Sequence, residues 1–293
     1  MVNLTAARDF IYGNARLLEQ LVYAAVFENG SPASVVSAVA AYQNSDGGFG
    51  HGLEPDKRTP FSQPLDTEIA LERLVTVGVA DDAMVRRACD FLDGVASPDG
   101  AVPVLLPSIA GFPRAAHWAE SDEYAPGLNP TASLAGYLHA LDIEHPWRER
   151  ATEWCFATLE RDTPPAEAHT IKCVLHLFEH VPDQARVARL VDPLIPALEG
   201  CEYYRADADG TAYGLTPLDY ATSPASPWRT WFSDDLIDAH LDRLERDQQS
   251  DGGWSIAWQP PSAATTCEWR AIKTLHALQV LDAYGRDVRP ARP

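Results

Sequence analysis

Two short segments of this chain are near-copies of each other: Gln43-Asn44-Ser45-Asp46-Gly47-Gly48-Phe49 and Gln248-Gln249-Ser250-Asp251-Gly252-Gly253-Trp254. Each closes a stretch of helical periodicity, supplies glycines for a tight turn and precedes a further helical stretch. A repeated helix-turn-helix unit cannot bury both of its faces alone, so successive units must stack side by side. Weaker Asp-Gly turns at Asp99-Gly100 and Asp209-Gly210 each lead through a Pro-rich loop to a tryptophan, Trp118 and Trp228. A second register runs beside the first. Thr67, Thr131, Thr170 and Thr266 each stand where an apolar helical face begins, and a threonine hydroxyl caps the free amides of a first turn well. The gap between the last two is long enough to hold one unmarked copy. Stacked in this way, the hairpins are expected to curl into a ring whose inner helices start at these threonines.

Apolar spacing predicts ten helices, over 4–27, 33–43, 67–77, 82–95, 131–141, 147–161, 166–180, 184–198, 234–248 and 266–284, while strict alternation is scarce. The expected fold is all-α, with one domain over residues 1–293. Three long connections, 44–66, 97–130 and 199–233, are rich in Pro and Gly, and long connections in a compact domain are where function is expected.

Charge narrows the partners. Asp and Glu number 42 against 23 Lys and Arg, a formal charge of -19. That field repels phosphate backbones and anionic lipid surfaces, so nucleic acid is not an expected partner. Only Lys57, Lys172 and Lys273 represent lysine. The five cysteines, Cys89, Cys155, Cys173, Cys201 and Cys267, are odd in number and form no C-x-x-C pair, which points to a reducing compartment. No stretch approaches 18 uninterrupted apolar residues, so no membrane span is expected. Charged residues interrupt the first ten positions, which gives no support to a signal peptide. The expected location is the cytoplasm.

The Gln-x-x-Asp-Gly-Gly-Phe/Trp turns resemble the repeat of the terpene cyclase and protein prenyltransferase superfamily. The resemblance implies an α/α toroid around a central cavity, closed by six hairpins; ten helices give about five, so the ring is expected to be complete or one unit short. A gap would be covered by residues 4–27 or by a second copy of the chain. In class II cyclases of that superfamily the general acid comes from a D-x-D-D-T pattern at the start of an inner helix. Gln63-Pro64-Leu65-Asp66-Thr67 resembles its register, but Leu65 stands where the protonating acid belongs. Asp66 and Glu68 are the candidate substitutes; their other reading is simple complementarity to a helix N-terminus.

Metal patterns are weaker. Zinc ligands of the prenyltransferase type find echoes only at His169-Thr170 and Thr266-Cys267, on separate spokes of a ring, whereas ligands must converge to about 2.0–2.3 Å of one ion. His169, Cys173, His176 and His180 share a helical stripe too long for one ion. Asp234-Asp235-Leu236-Ile237-Asp238 fits a D-D-x-x-D magnesium motif, yet Ser233 before it makes ordinary helix initiation sufficient. No cofactor and no metal is therefore assigned.

The richest segment is Gly50-His51-Gly52-Leu53-Glu54-Pro55-Asp56-Lys57-Arg58, where ionisable groups crowd a loop that the second strong repeat fills with Ser255-Ile256-Ala257-Trp258-Gln259. The candidate catalytic residues are Asp66, Glu68, Asp56, Glu54, His51, Glu268 and His169; Arg58, Trp118, Tyr213, Trp228, Trp231, Trp258 and Trp269 are the candidate substrate contacts. Together they suggest acid-base chemistry on a hydrophobic small molecule, isoprenoid by resemblance, with paired carboxylates in different protonation states. A carbohydrate-active toroid and a non-catalytic toroid that binds a ligand or a protein stand as alternatives.

Overall fold

A computed structural model describes residues 2–118 and 124–288 of the chain. Among the described residues the secondary structure is helical, with isolated bridges but no strand. The helices are α1 (Leu4–Asn14), α2 (Leu17–Phe27), α3 (Pro32–Ala40), α4 (Pro64–Val77), α5 (Asp82–Val95), α6 (Leu128–Ala140), α7 (Pro146–Arg161), α8 (Ala168–His180), α9 (Gln184–Leu190), α10 (Leu194–Glu199), α11 (Pro217–Tyr220), α12 (Asp234–Arg246) and α13 (Ala263–Ala283). None is long and apolar enough to cross a membrane.

The predicted helix over 4–27 is two helices. Ala15 and Arg16 are both extended, and the Arg16 guanidinium donates to the carbonyls of Gly52 (3.0 Å) and Leu53 (2.9 Å) while pairing with the buried Glu19. Holding that arginine on the 50–58 loop breaks the helix and makes α1 and α2 a hairpin of their own. The unmarked copy in the long gap is α11. Thr216-Pro217-Leu218-Asp219 repeats the Gln63-Pro64-Leu65-Asp66 start of α4, with proline in the first turn of each. Here the helix lasts a single turn, fastened by Asp219 Oδ2, which accepts from the Thr216 amide (2.8 Å) and hydroxyl (2.9 Å).

Among the described residues α2 packs on α4, α4 on α6, α6 on α8, α8 on α11, and α13 on α1 and α2. His276 of α13 reaches Asp219 of α11 at 3.8 Å, which joins these two helices. Side chains such as Leu71, Leu134, Val174 and Leu278 fill the space between these helices and belong to one buried cluster.

The repeated glycines explain the packing. Gly47, Gly100 and Gly252 have φ of +91°, +102° and +93°, a region that favours glycine. Each also lies against the backbone of an outer helix: a Cβ would fall 2.2 Å from Arg87 O of α5, 2.8 Å from Ala151 N of α7 and 2.1 Å from Ala6 O of α1. The turn near the C-terminal end therefore seats on the first helix, as the earlier turns seat on later ones.

The threonines act differently from the sequence expectation. The helix N-caps are Gln63, Gly127, Glu167 and Ser262, several residues earlier. Thr67 Oγ1 and Thr131 Oγ1 instead accept from the amides of Phe49 (3.3 Å) and Val102 (2.9 Å), tying the inner helix to the preceding turn. In the last repeat this role falls to Thr274, which accepts from Trp254 N at 3.0 Å, and not to Thr266.

Candidate functional site

Helices α4, α6, α8, α11 and α13 surround a cavity of about 430 Å³. Its wall includes Glu72, Tyr137, Lys172, His176, Asp219 and His276. Glu72, Tyr137, His176 and His276 lie beyond the middle of α4, α6, α8 and α13, so the cavity is lined mainly by the later turns of these helices. Charged and hydroxyl-bearing side chains dominate it, with Trp228 as an aromatic wall tilted against Trp231 at a centroid distance of 5.3 Å.

Two carboxyl groups, Asp219 on this wall and Glu68 one turn before the wall residue Glu72, are driven in opposite directions. Burial raises Glu68 to about 7, against the opposing effects of Ser133 and Lys172. Burial would also raise Asp219, but the positive fields of Lys273 and Lys172, with His276, hold it well below the usual carboxylate range. Lys172 thus faces both. Ser133 Oγ lies 2.5 Å from Glu68 Oε1 and 2.9 Å from the Pro130 carbonyl. A hydroxyl has one proton to give, and Ser133 has two acceptors for it, the Glu68 carboxyl and the Pro130 carbonyl; donated to Glu68 it favours the ionised form, against burial. His276 is brought down to about 4 by desolvation, which outweighs the pull of Asp219. The cavity wall therefore carries an ionised carboxylate, Asp219, and a neutral imidazole, His276, while Glu68, whose proton is held up to about 7, lies on α4 one turn before the wall residue Glu72.

The residues singled out in the 50–58 loop fall elsewhere. Glu54, Lys57 and Asp66 form a buried ionic knot: Lys57 Nζ is bonded to Asp66 Oδ2 and lies 3.6 Å from Glu54 Oε2, while Glu54 N donates to Asp66 Oδ1 at 2.8 Å. Asp66 has both oxygens committed and no exposed surface, so it anchors the loop on α4. Burial lifts Glu54 to about 7, with Lys57 opposing. His51 bonds Asn44 Oδ1 at 2.9 Å, and Arg58 pairs with Glu268 at 2.6 Å.

A third group forms a rim. Asp56 Oδ2 accepts from Trp258 Nε1 at 2.8 Å and lies 3.5 Å from His117 Nε2. Burial raises Asp56 against these partners. Trp258 packs edge-on against Trp269 (5.1 Å) and Tyr213 (5.5 Å), and Trp118 rests beside His117 at 4.8 Å. Glu167 caps α8 and bonds His169 Nδ1 at 2.5 Å; His169 Nε2 meets Tyr213 Oη at 2.9 Å. Burial would raise Glu167, but His169 and the capped amides bring it to about 2. Tyr213 is raised to about 12, first by burial and then by Asp219, Glu167 and Asp56, so it stands between rim and cavity.

The structure thus brings Asp56, His169, Tyr213, Trp258 and Trp269 together, leaves Asp66 and Glu54 inside the knot, and puts Trp228 on the cavity wall with Trp231 against it; Glu68 lies one helical turn before the wall residue Glu72. Sequence reasoning did not single out Glu72, Tyr137, Lys172, Asp219 or His276. Two signals were there: Glu72 follows Glu68 by one helical turn, and the Pro-Leu-Asp of α4 recurs at Asp219.

No protein-family profile and no curated protein matches this chain. Among solved structures it is similar to a protein from Actinoplanes, with a TM-score of 0.58 and 15% identity over 96% of this chain and 98% of that one. That likeness extends over the whole helical fold.

Proposed function

We propose that the chain is an α/α toroid enzyme that acts by acid-base chemistry on a polar, hydroxyl-rich small molecule, of carbohydrate type, in its central cavity. The observation that carries this reading is the pair Glu68 and Asp219, with opposed protonation preferences around one lysine. Glu68 serves as proton donor and Asp219 as the base or the stabiliser of positive charge, while Lys172 and Tyr137 bind hydroxyl oxygens. Trp228 offers a flat face to a sugar ring. The isoprenoid reading finds less support, because an alkene must be protonated in a dry pocket and this wall carries Glu72, Lys172, Asp219 and His276.

Incubation with panels of oligosaccharides, polyprenes and prenyl diphosphates, followed by mass spectrometry, tests the proposal. Turnover of a saccharide, abolished in Glu68→Gln and Asp219→Asn, is the expected result. Turnover of an isoprenoid alone would overturn the substrate class. Saccharide binding without turnover would favour a non-catalytic toroid.

A further inference from the structure

We infer that the last turn of α8 is a transition-metal site, with His176 and Glu179 on the cavity wall and the adjacent His180 as ligands. These residues stand at positions i, i+3 and i+4 of one helix, so their side chains share a face. One ligand atom from each lies within 4.8 Å of the other two. A tetrahedral ion about 2.0–2.1 Å from each donor sets the donors roughly 3.4 Å apart, a distance that rotamer adjustment on one face reaches. Two imidazoles and one carboxylate also match the donor set of zinc sites that keep a fourth position open.

Several features prepare the first ligand. His176 Nε2 is buried and has no hydrogen-bond partner, so a donor lone pair or N–H stands unused beside the cavity. Its ring is fixed against α6: a Cβ at Gly136 would come 2.8 Å from His176 Cδ2, and the Tyr137 ring lies 4.1 Å away, centroid to centroid. His180 meets His176 edge-on at 4.8 Å. Lys172, one turn earlier, opposes a cation, whereas Glu179 and the carbonyl end of the helix favour one. Both His176 and Glu179 line the cavity, so the open coordination position faces the space that the proposed substrate occupies. The site goes beyond the acid-base reading and does not rest on it.

Titration of the chelator-stripped full chain with Zn²⁺, followed by calorimetry and by thermal unfolding, tests the inference without any substrate. One saturable site of micromolar affinity or better is expected, with a rise in unfolding temperature that follows mass action. His180→Asn and Glu179→Gln, at partly or fully exposed positions, should each weaken the site at least about tenfold while leaving the metal-free unfolding temperature close to that of the parent. Substitution of His139, outside the cluster, should leave binding unchanged. Binding that survives both His180→Asn and Glu179→Gln, or no saturation at about millimolar Zn²⁺, would overturn the site.

Discussion

Replacing Lys57 by methionine separates an anchoring role of Asp66 from a chemical one. The lysine is fully buried, as is Asp66, and Glu54 is 3% exposed. Methionine keeps most of the side-chain length but removes the cation from Asp66 Oδ2, leaving the carboxylate one amide donor, from Glu54. Breaking a buried ion pair from one side costs about 3–5 kcal/mol, because a charge is left without compensation. At roughly 2–4 °C per kcal/mol for a large domain, the unfolding temperature should fall by about 10 °C. The pH dependence carries a sign. Burial raises the Asp66 pKa and Lys57 is the main opposing group, so in the variant the carboxyl titrates still higher. Its penalty is felt when it is ionised and is relieved as pH falls; the gap to the parent should narrow from pH 7 to pH 5. Lys57→Met with Asp66→Leu removes both charges and should recover much of the loss, which a double-mutant cycle in urea measures. A Lys57→Met protein within about 1 kcal/mol of the parent at pH 7 would refute the anchoring argument.

Glu68→Gln should lower the rate on a turned-over substrate by about 10²–10⁴; in the parent, activity should decline as pH rises through about 7, where Glu68 loses its proton. A flat pH profile would remove it as the acid. Glu54 and Glu68 are both raised in the folded state, so the stability they contribute is full below the unfolded pKa of about 4.3 and fades as pH rises to about 7; unfolding free energies measured across that window should show the downward slope. Gly252→Ala combines a φ of +93° with a Cβ 2.1 Å from Ala6 O, and should cost more than the roughly 1–2 kcal/mol of a left-handed alanine. Gly78→Ala, at +66° with open space around it, should cost only that; equal losses in chemical denaturation would contradict the close seating on α1. Trp258→Phe strips Asp56 of its indole donor and should lose about 1–3 kcal/mol, visible as a lower denaturation midpoint.

The parts of this molecule that were readable in advance are those where one residue type answers one local demand. Gly47 and Gly252 announced turns because their φ values favour glycine, and the helical spacing of apolar residues marked most of the helices to within a turn. The break at Ala15 and Arg16 is marked locally only by Gly13-Asn14, and its firm cause, Arg16 reaching carbonyls of a loop about 36 residues away, was not readable. The one-turn α11 carries too few residues for periodicity, and its Pro-Leu-Asp echo of α4 was the only mark it left. Among site residues the same division holds. Glu68 was found from its register beside Asp66, but the register could not say which carboxyl would be neutralised by Lys57 and which would be left against the Ser133 hydroxyl. That choice is made by the chain's three lysines: Lys57 enters the knot, while Lys172 and Lys273 approach Asp219. In a chain with net charge -19, lysines placed beside inward-facing carboxylates decide where ionised and protonated acids can coexist. Moving one of them is therefore expected to shift the protonation pattern of the cavity more than exchanging any single surface acid; comparing the Glu68 and Asp219 titrations of Lys172→Met with those of Asp90→Asn by NMR measures that difference, and equal shifts would refute it.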